Sequence, residues 1–477
     1  KINNVVATVE GNISDISINK YHYRNIAING EIAKGLFGGK FAVNDKNVKL
    51  NFKGNIDLNP KEPIFDFVAE ISNARLKKLN FANRDSSSSL STTVYAHFTG
   101  LNLNDFNGTF SLQKTIFKEK GETYTLQSLD LSSYSPGREK KIRLNSDYVD
   151  ATIQGTYYLP EIHQAFLKML HNYFSNLPFS VSANGLHPQN FDFDLKIKDT
   201  KTISEIFFPD LKLKTSAHVW GYFNSAKNTF SVKATSESFK ILKQEYEQID
   251  LNAFSSNNKV FLNINSGRIL NNDSLLVKKV SIRTNGRDKD LSFEIKTAGR
   301  DTGSFKADLT GIFSFFPDKK SELVFKSSHL KWEGQQWMVN PDNKLSLDNF
   351  SIKAEKFELV NNDQKINFKG TYFWPSDNNA QSELTEKLEI NLSNFELTNL
   401  NKFISTPELS PTGQLNGMVN LTTGKGTSKI ALSSNLQINR LIVNQDSLGT
   451  ARVIVSWDDQ SKIVDVIGNI VNGDIKT

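Results

Sequence analysis

The 477-residue sequence contains no cysteine and only three methionines. The first absence excludes disulfide staples, thiolate nucleophiles and cysteine-based metal sites, and it fits an oxidising compartment. No apolar run approaches the roughly eighteen residues that a spanning helix requires. The opening Lys1-Ile2-Asn3-Asn4 has neither an initiator methionine nor the apolar core of a signal peptide, and the closing GNIVNGDIKT stops within a strand-like pattern. Both ends therefore read as cuts, with room for a membrane anchor beyond them. Charge is also unconcentrated. The net charge is +6, and the basic pairs Lys77-Lys78, Lys140-Lys141, Lys278-Lys279 and Lys319-Lys320 are scattered. Nucleic-acid binding requires a clustered basic face with stacking aromatics, so no nucleic acid is expected as a partner.

Catalytic signatures are missing too. None of the seven histidines has metal-ligand spacing; His163 and His171 share a helical stretch but lie eight residues apart. The segment GKGTSK (424–429) lacks the order of a phosphate-binding loop, and no carboxylate pair stands out as an acid/base couple. No enzyme activity, cofactor or metal is expected.

What the chain does have is alternation. Leu50, Phe52, Ile56 and Leu58 fall on one side of an extended segment, with Lys49, Asn51, Lys53, Asn55 and Asp57 on the other. Side chains alternate across a strand, so the segment has one apolar and one polar face. The same period recurs in Phe191-Phe193-Leu195, Leu291-Phe293-Ile295, Leu388-Ile390 and Ile430-Leu432. Polar turn signals such as NDKN (44–47), TNGRDKD (284–290) and NNDQ (361–364) separate the runs. The stretch Ser86–Ser91 reads as a loop. One segment departs from this pattern. In residues 160–178, Phe166, Met169, Leu170 and Phe174 repeat at helical spacing, which predicts an amphipathic helix entered at Pro160. Shorter helical turns are expected over 203–208 and 397–404.

Two phrases are nearly identical: KLNFKG at 49–54 and KINFKG at 365–370, each after an Asn-Asp pair. They belong to a wider pattern, apolar-x-apolar-x-Gly. It appears with Phe98 before Gly100, Ile153 before Gly155, Val219 before Gly221 and Leu309 before Gly311, then with Phe368 before Gly370. Looser copies are Leu415-Gly417-Val419 and Val464-Val466-Gly468. Successive glycines lie roughly 45–65 residues apart except between Gly221 and Gly311, a gap that would hold a degenerate copy near Gly267, and a period of this order is that of a repeat architecture whose units bury their faces by stacking. Glycine on the apolar face marks a bend or a close approach.

A one-sided apolar sheet must be covered. Ordinary β-sandwich domains with dry cores are one solution. The other is a sheet folded lengthwise around an apolar trough, in which a sixteen-carbon acyl chain gains about 10 kcal/mol over water at about 0.8 kcal/mol per methylene.

The segment KYHYRNIAINGEIAKGLFGGKFAVNDKNVKLNFKGNIDLN (20–59) resembles the TamB proteins of Bacteroidota, part of the AsmA-like superfamily. The Trp332/Trp337 stretch (330–370) and LNKFISTPELSPTGQLNGMVNLTTG (400–424) are similar to the same family. The resemblance implies a mainly β chain: an elongated repeat sheet folded into a β-taco groove, with one amphipathic helix and a few helical turns. Residues 1–159 and 179–477 would be groove repeats and 160–178 the helix, one continuous middle section of a longer protein. It further implies an inner-membrane anchor and an Omp85-family outer-membrane barrel as partners, both engaged outside this stretch. The setting would be the periplasm, with phospholipid acyl chains as cargo. The candidate groove residues are Leu50, Phe52, Ile56, Phe98, Ile153, Phe191, Phe193, Leu195, Val219, Leu291, Phe293, Ile295, Leu309, Ile366, Phe368, Leu388, Ile390, Leu415, Val419, Ile430, Leu432, Val464 and Val466. Phe166, Met169, Leu170 and Phe174 would cover the groove. A lipid-free scaffold for outer-membrane strands and a sandwich-repeat adhesin are the rival readings.

Overall fold

The computed structural model describes residues 6–476 except 60, 84, 136–138, 178, 180–184, 199–210, 214–215, 242–243, 272–273, 300–305, 333, 342, 375–384, 401–409, 426–428, 459–462 and 473–474. The protein is mainly β, with antiparallel pairing throughout the described strands. It divides into two compact units, Lys1–Phe166 with Ala183–Lys243, and Leu167–Ser182 with Gln244–Thr477.

Unit 1 contains β1 (Ala7–Ile18), β2 (Tyr21–Ala33), β3 (Leu36–Asp45), β4 (Val48–Asp57), β5 (Ile64–Ala74), β6 (Ser89–Thr99), β7 (Asn107–Glu119), β8 (Glu122–Tyr134), β9 (Lys140–Ser146) and β10 (Val149–Thr156). After the helix α1 (Ile162–Tyr173) come β11 (Asn190–Ile197), β12 (Leu211–Leu213), β13 (Ala217–Asn224) and β14 (Thr229–Ile241). Each strand from β1 to β11 pairs with the next in sequence; β13 then follows β11, and β14 borders both β12 and β13.

Unit 2 continues with β15 (Gln244–Ser256), β16 (Lys259–Asn271), β17 (Ser274–Arg287), β18 (Asp290–Ala298) and β19 (Lys306–Phe316). Here the sheet splits. β20 (Lys320–Phe325) and β21 (Ser328–Trp332) lie end to end along β19, while β22 (Gln335–Val339) and β23 (Lys344–Leu347) rejoin at β24 (Ser351–Asn361). Sequential pairing then resumes through β25 (Gln364–Phe373), β26 (Glu386–Glu396), β27 (Pro411–Thr423), β28 (Ile430–Val443), β29 (Asp446–Asp458), β30 (Ile463–Asn472) and β31 (Ile475–Lys476).

Local chemistry explains the hairpins. The two-residue turns Asn19-Lys20 and Asn257-Asn258 place both residues at φ between 49° and 60°, and in the three-residue turn Pro317–Lys319 Asp318 and Lys319 do the same at 61° and 60°. That geometry matches the twist of flanking strands, and Asn and Asp tolerate it. Left-handed residues also occur inside strands. Asn73, Asn394 and Arg440 each coincide with a register shift. Such bulges bend a strand and increase its twist, so curvature here comes from Asn and Arg as well as from glycine.

Several expectations require correction. The Asn-Asp pairs before the twin phrases are not equivalent: Asp45 is the last residue of β3 and the turn is Lys46-Asn47, whereas Asn362-Asp363 form the second turn themselves. Leu58 lies beyond the end of β4 and is exposed, so it joins no face. Half of the serine stretch is strand, because Ser89–Ser91 begin β6. The helix is shorter than 160–178: Pro160 sits in a 3-10 turn, Leu159–Glu161, and the α-helix starts after it and ends at Tyr173. Leu397–Leu400 form a 3-10 turn, and residues 401–404 and 203–208 lie outside the described residues.

Candidate functional site

Register brings the apolar positions together. Across unit 1, Phe37, Ile56, Phe65, Phe98, Gly108, Ser133, Ile142, Ile153, Phe193, Gly221 and Val232 are successive cross-strand partners. Beyond the row of Gly39, Gly54, Phe67 and Ala96, a second long row runs through Phe41, Phe52, Ala69, Val94 and Leu112, with Phe41 stacked on Phe52 at 4.6 Å. Directly opposed residues share a face, so each row is a mainly apolar line across adjacent strands, interrupted in the first by the buried Ser133. Leu50 follows Val43 in a third row; Leu195 and Val219 are partners in a fourth, and Phe191 pairs with Phe223.

Unit 2 repeats the arrangement. Leu291, Phe313, Leu323, Leu345, Ala354, Gly370, Leu388, Leu421, Leu432, Trp457 and Val464 form one row. Ile366 and Leu392 lie in a second, and Phe368, Ile390 and Val419 in a third. Phe293 faces Gly311, Ile295 faces Leu309, Leu415 faces Ile438, Val466 faces Val455, and Ile430 faces Thr423. Phe52, Phe191, Ile366 and Leu415 are buried, Val464 and Val466 are exposed, and the other candidate strand residues are half-buried.

The glycines of the twin phrases have a defined role. Gly54 has φ +145° and Gly370 φ +119°, and an added Cβ would meet the Asp66 carbonyl oxygen at 2.3 Å or that of Lys387 at 2.0 Å. Each allows the neighbouring strand to approach where a side chain would collide.

At one end of unit 1 the apolar face forms a pocket of about 590 Å³ whose lining is wholly apolar. Ile13, Ile26, Ile28, Phe41, Val43, Val48 and Leu50 line it, with Leu76, Leu79 and Phe81 from the turn after β5. Leu79 is 1% exposed, whereas Phe81 is 65% exposed; Ile16 and Ile18 also face solvent, so the pocket has an open rim. Reciprocal hydrogen bonds link the β1–β2 turn to the turn after β5: Asn19 Nδ2 donates to the Asn80 carbonyl at 2.7 Å, and Asn80 Nδ2 to the Asn19 carbonyl at 3.0 Å. One edge of the apolar face is sealed by polar groups. The buried Asp45 carboxylate accepts from the Tyr21 hydroxyl at 2.5 Å and from the Asn47 backbone N–H at 2.8 Å. Burial and then Asp45 itself push the Tyr21 phenol up.

At the opposite edge, register places Lys140 on the apolar face, beside Gly155 and Phe191. Its ammonium donates to the carbonyls of Leu103, at 2.7 Å, and Asn104, and burial lowers its pKa. The nearby Tyr157 phenol is pushed up to about 12 by burial. In unit 1, Phe166 packs against Phe223 and Phe230 at 6.1 and 5.6 Å, on the apolar face. In unit 2, Phe174 packs against Phe315 at 5.7 Å. Met169 and Phe174 are buried and Leu170 is half-buried.

Unit 2 has no open equivalent at its second twin phrase. Trp337 (1% exposed), Ile366, Phe395, Leu397, Leu415, Ile438, Leu441 and Ala451 form a closed cluster, with Trp332 at its side. Gln364 closes its edge, accepting from the Glu396 N–H at 2.9 Å and from Asn399 Nδ2 at 3.2 Å. Sequence reasoning missed this closure and that at Asp45, because both depend on residues 24 to 35 positions away in the chain. The pairing of Asn-rich turns with buried Gln or Asp was the available signal.

Among the described residues no group of acidic or histidine side chains could hold a metal ion. No described helix is long and apolar enough to cross a membrane. Comparison with family models, curated proteins and solved structures returns no match to this chain.

Proposed function

We propose that this protein is a lipid-shielding β-groove of the bacterial envelope, similar in role to the TamB-like proteins its sequence resembles. The wholly apolar, open-rimmed pocket of unit 1 carries the reading. A half-exposed apolar face is costly in water unless something apolar occupies it. Acyl chains suit it, since they need no hydrogen-bonding partner and gain about 0.8 kcal/mol per methylene removed from water. The role would be collective and non-enzymatic, with strand residues excluding water from phospholipid tails in transit through the periplasm. An inner-membrane anchor and an Omp85-family barrel would be engaged by other parts of the protein. The bulges and the Asn19–Asn80 tie support a sheet that curls around its apolar side.

Mass spectrometry of lipid co-purified with the protein, against a delipidated control, tests the reading. Stoichiometric phospholipid is expected in the wild type. Leu50→Asp, in the wall of that pocket, should lose it while circular dichroism still reports β structure, because a carboxylate in an acyl-lined site is costly to desolvate. A folded wild-type protein without lipid, or a folded Leu50→Asp variant that retains it, overturns the reading and leaves the lipid-free scaffold.

A further inference from the structure

The polar face of unit 1 carries a feature that the apolar reading does not use. Lys40 on β3 and Lys53 on β4 are directly opposed, both exposed. Like charges at that spacing repel and destabilise the sheet. Among the described residues neither lysine has an ion-pair or hydrogen-bond partner. The corresponding lysine of the second twin phrase is placed differently: Lys369 is opposed by Glu389. Of the two twin phrases, only the first carries this repulsion.

The surroundings of the pair are concave. In the adjoining row Ala27 is opposed by Ala42, and these short side chains leave a depression of about 810 Å³ on this face. Asn29 lies beside Lys40 in register and Asn51 beside Ala42, and both carboxamides border the depression with N–H donors. Glu10 and Glu70 also border it, toward its two sides, without pairing to either lysine.

We propose that the Lys40–Lys53 pair and its concave floor form an anion site for a phosphate-bearing ligand. A dianionic phosphate seated between the ammoniums converts their repulsion into two charge-assisted hydrogen bonds, and the asparagine amides satisfy the remaining oxygens. The site is on the face opposite the apolar pocket and requires no lipid there, so it stands or falls separately from the proposed function.

Phosphorus NMR titration of inorganic phosphate tests it, run in parallel with co-sedimentation on phosphatidylglycerol and phosphatidylcholine vesicles. The wild type should bind, and Lys40→Gln and Lys53→Gln should each weaken binding about tenfold or more. Lys369→Gln should match the wild type. Phosphate should raise the wild-type Tm and leave that of Lys53→Gln unmoved. Saturation by inorganic phosphate identifies a soluble ligand. Binding confined to phosphatidylglycerol vesicles, and lost in the same two variants, identifies a lipid headgroup; either outcome bears out the site. No binding to either probe, or equal binding by wild type and both unit 1 variants, overturns it.

Discussion

In unit 1 the strand carrying KLNFKG runs past an open pocket, with Leu50 at its wall and Phe52 stacked on Phe41. In unit 2 the strand carrying KINFKG runs beneath Trp337 and Phe395, with Ile366 in a closed cluster. Both phrases supply the same alternation, and both end in a glycine that a side chain could not replace without collision. The difference lies in what the rest of the sheet brings over them. Over Ile366 the split between β19 and β24 delivers Trp337, and the 3-10 turn after β26 adds Leu397. Over Leu50 there is a turn whose Leu79 points in while Phe81 stays in solvent. The same strand can serve as core or as wall, and its cover decides which.

Charge substitution should separate the two most sharply. Ile366→Asp buries a carboxylate without a partner and should cost about 4 kcal/mol or more. Leu50→Asp, at an open wall, should cost less than half as much. Denaturant unfolding of both variants checks the order, and equal losses would mean that the two sites are equally closed.

An alkaline ramp examines unit 1 alone. The Tyr157 phenol stays protonated in the folded protein up to about 12, against an ordinary value of 10.0 in the unfolded chain. Between those values the unfolded chain binds fewer protons, so stability is present below pH 10 and falls as pH rises toward 12. A loss of about 2 kcal/mol is expected, on the scale of about 1.4 kcal/mol per pH unit. Tyr157→Phe should reduce that slope, leaving the part that the raised phenols of Tyr21 and Tyr23 contribute, as read by urea midpoints across the range.

Gly54→Ala and Gly370→Ala probe what the twins share. Each should cost about 1–3 kcal/mol, because a positive-φ backbone and a carbonyl contact penalise any Cβ. Similar losses support one structural unit used twice; a large difference breaks the equivalence. The smallest effect carries the clearest sign. Lys53→Glu should stabilise unit 1 by about 0.2–1 kcal/mol, since it then opposes Lys40, while Lys369→Glu should destabilise unit 2 similarly by facing Glu389. Thermal unfolding in low salt reads both.

Much of this was legible in the sequence. Alternation placed Leu50, Phe52, Phe193, Leu291 and Ile390 on apolar faces because a two-residue period is a property of the strand itself. Helical spacing located α1 for the same reason. The closures at Trp337 and Asp45 were not legible, nor was the Lys40–Lys53 opposition. Each depends on which strands become neighbours and in what register, which a linear pattern does not encode. The Asn-Asp pairs misled because the turn keeps its place before each twin phrase while the Asn-Asp pair is displaced by two residues in the first copy.

The order of pairing has a further consequence. Nearly every described strand bonds to the one just before it, so few loops of great length must close before contacts form. A chain of this kind can assemble progressively, hairpin upon hairpin, as it emerges from a narrow exit. Each new hairpin finds a finished edge to grow on, and an incomplete chain exposes its latest strand and the edge at which the sheet began, with paired strands between them.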